Sequence, residues 1–477
     1  MRKENIFIPL YRSFAFRYLL STGIFEELSK NYKIICFIDM KYKESFEFYL
    51  KRYEVIFEDI NKNNVEKKFS RVKDFFIILK KFFNGEKKNY KNNSHVVWNV
   101  QFKEELKKKH LFFLVKIIAF FLKKSLTLRR AFNILDAIVD NQKYLKEYYK
   151  KYLPKLLIIT SYGYDLDQYF VREAKKEGCK TISIIYSWDN PTSKGYKSSD
   201  SDYYLVWNEN MKKELIIFHD IKEKKIKICG TAHWDTFYND LQNKDKIKSN
   251  FFKRWNLNLD QKIILFFSSS PRDFKNAFEK IDKICSLFKD NPNYLLIARM
   301  HPLYLDQNIC QKFLGKTNDH YEKELLHKYY KKLIFINPKI IKFGYKSNEV
   351  FYPLEDIEVL KQLYCSADLL LNEYSTTLLE GYIFDLPIIN VAIGKYRNTD
   401  LPISFYGELH HLWRLKKYKA IIECDNYESL KKTIDDILNG KDETKKNRKK
   451  LLDLEMNENR GNASNKIIEE IMSIAKN

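Results

Sequence analysis

The stretch from Ala367 to Glu380 (ADLLLNEYSTTLLE), followed by Leu386-Pro387-Ile388-Ile389-Asn390, constrains the fold more than any other part of the chain. It reads as a buried strand, a polar turn, a helix opening on three hydroxyl residues, and a second buried strand. Such a unit demands a parallel sheet covered by helices. Ser375, Thr376 and Thr377 stand where the helix begins. Unpaired backbone N–H groups, hydroxyl donors and the positive end of the helix dipole converge there, an arrangement that holds a phosphate. Glu380, one turn further in, is placed to accept two hydrogen bonds from vicinal hydroxyls such as those of a ribose. Phosphate site plus diol acceptor describes a nucleotide; the competing reading is a plainly capped helix of a βαβ unit.

The same alternation runs through the rest of the chain. Strands are expected at 5–10, 33–38, 155–160, 181–186, 203–207 and 225–229, with helices at 12–30 and 165–177. After a junction between Gly230 and Asp260 the pattern restarts, with strands at 262–267 and 294–298 and helices at 273–289 and 354–366. From about Tyr427 the chain is helical and charged. At 477 residues, two domains are expected. The fold class is therefore α/β with two Rossmann-like domains and a basic helical insert, about 62–150, in the first. Residues 1–240 form the expected acceptor-binding domain. Residues 241–477, with the terminal helices, form the nucleotide-donor domain.

Charge is concentrated in the insert. Residues 61–155 hold 24 Lys/Arg against 8 Asp/Glu, +16 of the chain's net +23. Within them, the apolar run 111–122 is flanked by Lys123-Lys124 and Arg129-Arg130. Twelve residues fall short of the roughly 20 needed to span a bilayer. Apolar residues bordered by cations suit a helix lying on an anionic membrane surface, the alternative being a core helix with solvated basic ends. No nucleic-acid signature accompanies the charge, so no nucleic-acid partner is expected. Seven cysteines are scattered singly, without metal-ligand spacing, and read as reduced, buried thiols. The amino terminus enters a strand without a leader-like apolar stretch, so a cytoplasmic protein is expected, peripheral on the inner face of the cytoplasmic membrane.

Ligands of open parallel sheets collect beyond the C-terminal ends of the strands. Three further polar clusters stand at such ends. The loop Ser187-Trp188-Asp189-Asn190-Pro191-Thr192-Ser193-Lys194 supplies the acceptor side, with Trp188, Asn190 and Lys194 around Asp189. Arg299-Met300-His301-Pro302 places His301 at a sheet edge beside Arg299. Ser268-Ser269-Ser270 adds donors, Ser269 among them. One chemistry uses all of these: His301, Ser375, Thr376 and Thr377 on a departing phosphate, and Asp189 as general base on an acceptor hydroxyl. No acidic pair of the metal-binding kind stands at a strand end, so neither metal nor cofactor is expected.

The Arg-x-His-Pro turn and the 367–387 block resemble GT-B nucleotide-sugar glycosyltransferases, most closely those building bacterial surface polysaccharides. The CDP-glycerol glycerophosphotransferases carry a similar His-Pro turn and an Asp-Tyr-Ser-Ser block, here Glu373-Tyr374-Ser375-Thr376. Their Trp-His-Gly-Thr-Pro-Leu-Lys loop is matched by residues 188–194, with Asp189 in place of the histidine thought to be their base. Bacterial sialyltransferases and Kdo transferases combine a His-Pro turn with a Ser/Thr phosphate motif and use a first-domain acid as base. The resemblance, over about 150–400, implies a metal-independent glycosyltransferase with a cytidine-activated donor and a cell-surface glycan or lipid-linked precursor as acceptor. A CDP-glycerol or CDP-ribitol phosphotransferase is the first alternative and a nucleotide-sugar 2-epimerase the second. From another class comes a basic adaptor on membrane or nucleic acid.

Overall fold

Runs of Ile, Leu, Val and Phe, seven residues or fewer, are too short for helices and too apolar for loops, and they pair side by side. The computed structural model describes residues 3–60, 70–87, 90–105, 109–139, 144–342, 350–351, 353–397, 399–456 and 458–476. The first sheet contains β1 (Glu4–Pro9), β2 (Tyr32–Ile38), β3 (Val55–Asp59), β4 (Leu156–Ile159), β5 (Lys180–Ile184), β6 (Tyr203–Val206) and β7 (Ile226–Ile228). Its order is β3-β2-β1-β4-β5-β6-β7, parallel throughout. The second sheet contains β8 (Lys262–Phe267), β9 (Tyr294–Arg299), β10 (Leu333–Phe335), β13 (Leu369–Asn372), β14 (Ile388–Val391) and β15 (Ile422–Cys424). Its order, β10-β9-β8-β13-β14-β15, is again parallel. A small antiparallel pair, β11 (Ile341–Lys342) and β12 (Val350–Phe351), stands apart.

This is an α/β protein with two Rossmann-like domains, as in the GT-B fold. Each sheet reverses its strand order beside its first strand, between β1 and β4 and between β8 and β13. Crevices at the C-terminal strand ends open at these points.

The βαβ unit of the sequence is present: β13, the helix Thr377–Ile383, and β14. Gly381 lets that helix lie directly on the sheet, because a Cβ there would meet Leu370 Cδ2 at 2.9 Å and Ile388 Cδ1 at 3.0 Å. The expected helix 12–30 is two helices, Ser13–Ser21 and Ile24–Asn31. They break at Gly23, whose φ of +70° suits glycine. The expected helix 273–289 shortens to Ala277–Leu287. β3 was not expected: it is a half-buried edge strand ending in Glu58-Asp59, so it lacks a continuous apolar run. All seven cysteines are buried and free.

The insert contributes the helices Ser70–Phe82, Ser94–Glu105, Lys109–Lys124 and Leu126–Val139. Positions 62–69, 88–89, 106–108 and 140–143 of the expected insert lie outside the described residues. Phe76, Leu79, Phe83, Trp98, Val115 and Phe132 form its own small core, completed by Tyr196 of the first domain. The insert also reaches the second domain: Asn93 Nδ2 donates to Glu408 O at 2.8 Å and Gln101 Nε2 to Tyr396 OH at 2.6 Å. Among the described residues no helix is long and apolar enough to cross a membrane.

The assignment of all of 241–477 to the second domain needs correction. The last helix, Ala463–Lys476, buries Ala463, Ile467, Ile471 and Ile474 among Ile6, Phe25 and Ile34 of the first core. Its apolar stripe recurs at helical spacing but does not reveal which sheet receives it. Ile471→Ala is expected to lower stability by about 2–5 kcal/mol in urea denaturation, as for other buried large-to-small changes. A loss below about 1 kcal/mol would show that this helix is not part of the first core.

Candidate active site

The C-terminal strand ends of both sheets face one cleft of about 510 Å³. From the second sheet come Ser268, Ser269 and Ser270 after β8, Arg299 at the end of β9 and His301 after it, and Ser375, Thr376, Thr377 and Glu380 after β13. From the first come Phe14 and Arg17 of the helix following β1, Tyr186, Trp188 and Asp189 after β5, and Trp207 after β6. Nine of the eleven candidate residues therefore line one cavity. Asn190 and Lys194 stand behind it. Asn190 is buried, and Lys194 Nζ lies 3.4 Å from Asp189 Oδ2.

The turn after β13 is pinned from several directions. Glu373 and Lys280 form an ion pair with both side chains fully buried, and Ser269 N donates to Glu373 Oε2 at 2.8 Å. Tyr374 sits in the left-handed region at φ +47°, an unfavourable conformation for a non-glycine residue. Its N–H donates to Asn390 Oδ1 at 2.8 Å, which holds it there. Ser375 Oγ and Thr377 Oγ1 donate to Asn372 Oδ1 at 3.1 and 3.0 Å and lie 2.5 Å from each other. The helix they open is only seven residues long. Clustered hydroxyls and loop amides therefore carry more of any anion-binding power than the dipole.

His301 is set as a donor. Leu303 N donates to its Nδ1 at 3.2 Å, so the neutral ring carries its proton on Nε2. Burial, reinforced by Arg272, lowers its pKa to about 4, so the ring is neutral at physiological pH. Its own N–H donates to Ser268 Oγ at 2.8 Å, tying the β9 turn to the β8 loop. Arg299 is held by Asp356 at 2.6 Å and by Ile336 O at 3.1 Å.

Asp189 is held by hydroxyls of its own loop. It accepts from Ser187 Oγ at 2.5 Å and Ser193 Oγ at 2.6 Å. Burial alone would raise its pKa, but Lys194, His411 and the two hydroxyls outweigh that and hold it well below the carboxylate range. The group is ionised but weakly basic. His411, from the second domain, lines the cleft beside it, edge-on to Trp188 at 4.9 Å, with Nδ1 3.4 Å from Thr192 Oγ1. Burial lowers His411 to about 4 against the pull of Asp189.

Glu380 accepts from Tyr364 OH at 2.6 Å on one oxygen and from Trp234 Nε1 at 3.3 Å on the other. An ionised carboxylate has about four acceptor sites, so capacity for a diol remains. Burial raises its pKa, opposed by these donors and by Arg17 and Arg299.

Sequence reasoning missed His411, Arg17 and the aromatic wall of Tyr18, Trp207, His233 and Trp234. Trp234 packs edge-to-face on Trp207 at 5.1 Å and against His233 at 4.5 Å. The Gly230-Thr-Ala-His233-Trp234 stretch was visible as a junction, and an aromatic pair at a strand end was the available signal. Among the described residues no group of three or more His, Cys, Asp or Glu side chains is placed to hold a metal ion.

No family model matches the chain, and no curated protein matches it in sequence. Solved structures share its GT-B-like fold at low identity. UDP-GlcNAc 2-epimerase from Neisseria meningitidis bound to UDP-GlcNAc is 12% identical, with a TM-score of 0.52, covering 99% of this chain and 100% of that one. A histidine-to-asparagine variant of the wall teichoic acid polymerase TagF is 13% identical at TM-score 0.51, over 99% of this chain and 89% of that one. The S. aureus MnaA–UDP structure is 11% identical at TM-score 0.51, over 100% and 97%.

Six of the nine histidines, His95, His219, His233, His301, His410 and His411, have pKa values lowered by burial. The unfolded chain binds protons that these groups refuse when folded, so stability falls as pH drops below about 6.5 towards 4. Five carboxyls raised by burial act in the opposite sense, Asp167 to about 6, Glu214 to about 7, and Asp235, Glu322 and Glu380 as well, but the six histidines outnumber them. The melting temperature is expected to fall steadily from pH 7 to pH 5; a flat profile would contradict this balance.

Proposed function

We propose that this protein is a transferase that moves a sugar from a nucleotide-activated donor to a hydroxyl of a cell-surface glycan or its lipid-linked precursor. One observation carries the reading. A polar wall, His301 Nε2–H with the hydroxyls of Ser375 and Thr377, which turn from Asn372 Oδ1 to donate to a ligand, faces Asp189 and His411 across a single cleft. A departing nucleotide phosphate accumulates negative charge, and a donor fixed before reaction, as His301 is, stabilises it without reorganising. In this reading Ser269 and Thr376 add to the phosphate site, Arg299 supplies positive potential from behind, and Glu380 holds the ribose.

On the opposite wall Asp189 meets the acceptor hydroxyl. Its weak basicity suits it to orient and polarise that hydroxyl, and the neutral His411 beside it is the better proton acceptor. Trp188 packs behind the acceptor. Asn190 and Lys194 position the Asp189 loop rather than touch substrate. No cofactor enters this scheme.

The resemblance favours cytidine as the base, whereas two of the fold neighbours hold uridine nucleotides by their descriptions. Calorimetric titration with CMP, CDP, UDP and GDP separates these, with binding of one expected and binding of none overturning the reading. His301→Ala is expected to lower transfer by about 10²–10³-fold. Asp189→Asn and His411→Gln should lower kcat more than nucleotide affinity, and full activity in all three variants would refute the assignment.

The fold neighbours also favour a second reading, a nucleotide-sugar 2-epimerase. Proton NMR of the donor incubated without acceptor discriminates: an epimerase converts the sugar, a transferase leaves it unchanged. Transfer of glycerol phosphate or ribitol phosphate would appear in the same assay as a phosphodiester product once acceptor is added.

A further inference from the structure

The helix Leu126–Val139 is built inside out. Its buried positions include Arg129 and Asp136, while Ile134, Leu135 and Ile138 are 62%, 52% and 69% exposed. The inward charges are fully engaged. Arg129 Nε and Nη2 donate to the two oxygens of Asp220 at 2.6 and 2.9 Å, and Asp136 pairs with Lys80 at 2.6 Å and with Arg172. The preceding helix, Lys109–Lys124, spends Val115, Ala119 and Leu122 on the insert's core. It still leaves Phe113, Ile117, Phe120 and Phe121 outside, Phe113 at 67% exposure. Two consecutive helices, joined only by Ser125, thus present large apolar side chains outward. Soluble proteins rarely leave clustered apolar surface of this kind uncovered.

Cations frame these residues. Lys116, Lys124 and Arg130 are exposed on the same helices, and Lys124 Nζ lies 4.0 Å from the centre of the Phe120 ring. The segment of sequence that carries them, residues 61–155, has a balance of +16. This charge selects the occupant. A second copy docking through the same face would bring two strongly positive surfaces together, which is repulsive. An anionic bilayer accepts both features, apolar side chains into the acyl boundary and lysine and arginine at the headgroups. At 16 and 14 residues the helices are too short to span it and would lie in its plane.

We propose that the outer face of helices Lys109–Lys124 and Leu126–Val139 docks on an anionic lipid bilayer. The insert's inner face supports the loop that holds Asp189: Tyr196 N donates to Lys80 O at 2.8 Å, and Asn92 Nδ2 donates to Thr192 O at 3.1 Å. Docking stands without the transferase reading, which only supplies its purpose.

Vesicle flotation tests it on the full chain, with phosphatidylglycerol-containing and pure phosphatidylcholine vesicles at low and high salt. The wild type is expected to float with the anionic vesicles and less so at high salt. Combined Phe120→Ser, Phe121→Ser, Ile134→Ser and Ile138→Ser changes should lower that partition by at least about tenfold, with an unchanged melting temperature because all four side chains point outward. Lys116→Glu, Lys124→Glu and Arg130→Glu together should abolish the preference for anionic lipid while the fold persists. The proposal is overturned if the wild type fails to float, or if the serine variant floats equally. A dimer in light scattering that the serine variant dissolves would overturn it, as would salt-sensitive RNA binding without flotation. Nucleotide binding by the non-floating variant would leave the transferase reading intact.

Discussion

Glu373 has no contact with water, and the donor wall of the cleft depends on how its charge is compensated. Desolvating a carboxylate costs several kcal/mol unless a counter-charge and hydrogen bonds meet it. Lys280 supplies the charge and the backbone of Ser269 the hydrogen bond. The pair therefore fastens three separate segments at one point: the loop after β8, the helix Ala277–Leu287 and the turn after β13. With that point fixed, Tyr374 can be held in its left-handed conformation, and Ser375 and Thr377 are delivered to the cleft at set positions. Removing either partner would leave a buried charge, so the arrangement is kept or lost as a unit.

The parallel sheets were legible in the sequence because a strand buried on both faces is a continuous apolar run, and the nine strands flanked on both sides in the two sheets are such runs or close to it. Edge strands such as β3 and β10 carry polar residues or are three residues long and leave no such trace. The phosphate-side residues were legible for a related reason. They sit in one local βαβ unit, where spacing along the chain is close to spacing in the cleft. His411 was not, since it reaches Asp189 from more than 200 positions away and its own neighbourhood, His410-His411-Leu412-Trp413, reads as an ordinary helix. The aromatic wall was obscured by composition: in a chain with 33 tyrosines and 35 phenylalanines, the His233-Trp234 pair at a strand end is only a faint signal.

Asp189 illustrates why a residue's identity underdetermines its chemistry. An acid in a Pro-punctuated loop at a strand end suggests a base. Its surroundings here, two hydroxyls and a lysine, spend the carboxylate's basicity on holding the loop. In the proposed reaction the proton is then taken by the neutral His411 beside it, a residue that only the assembled cleft brings there.

The chain crosses between the domains twice, once after β7 and again before Ala463, where the last helix returns to the first core. Two bodies joined by one connection can swivel about any axis through it. Two connections remove rotation about all but the line joining them. Arg414, buried, bridges Glu214 of one half to Glu455 of the returning segment, so parting the halves there would strip a buried charge of a partner.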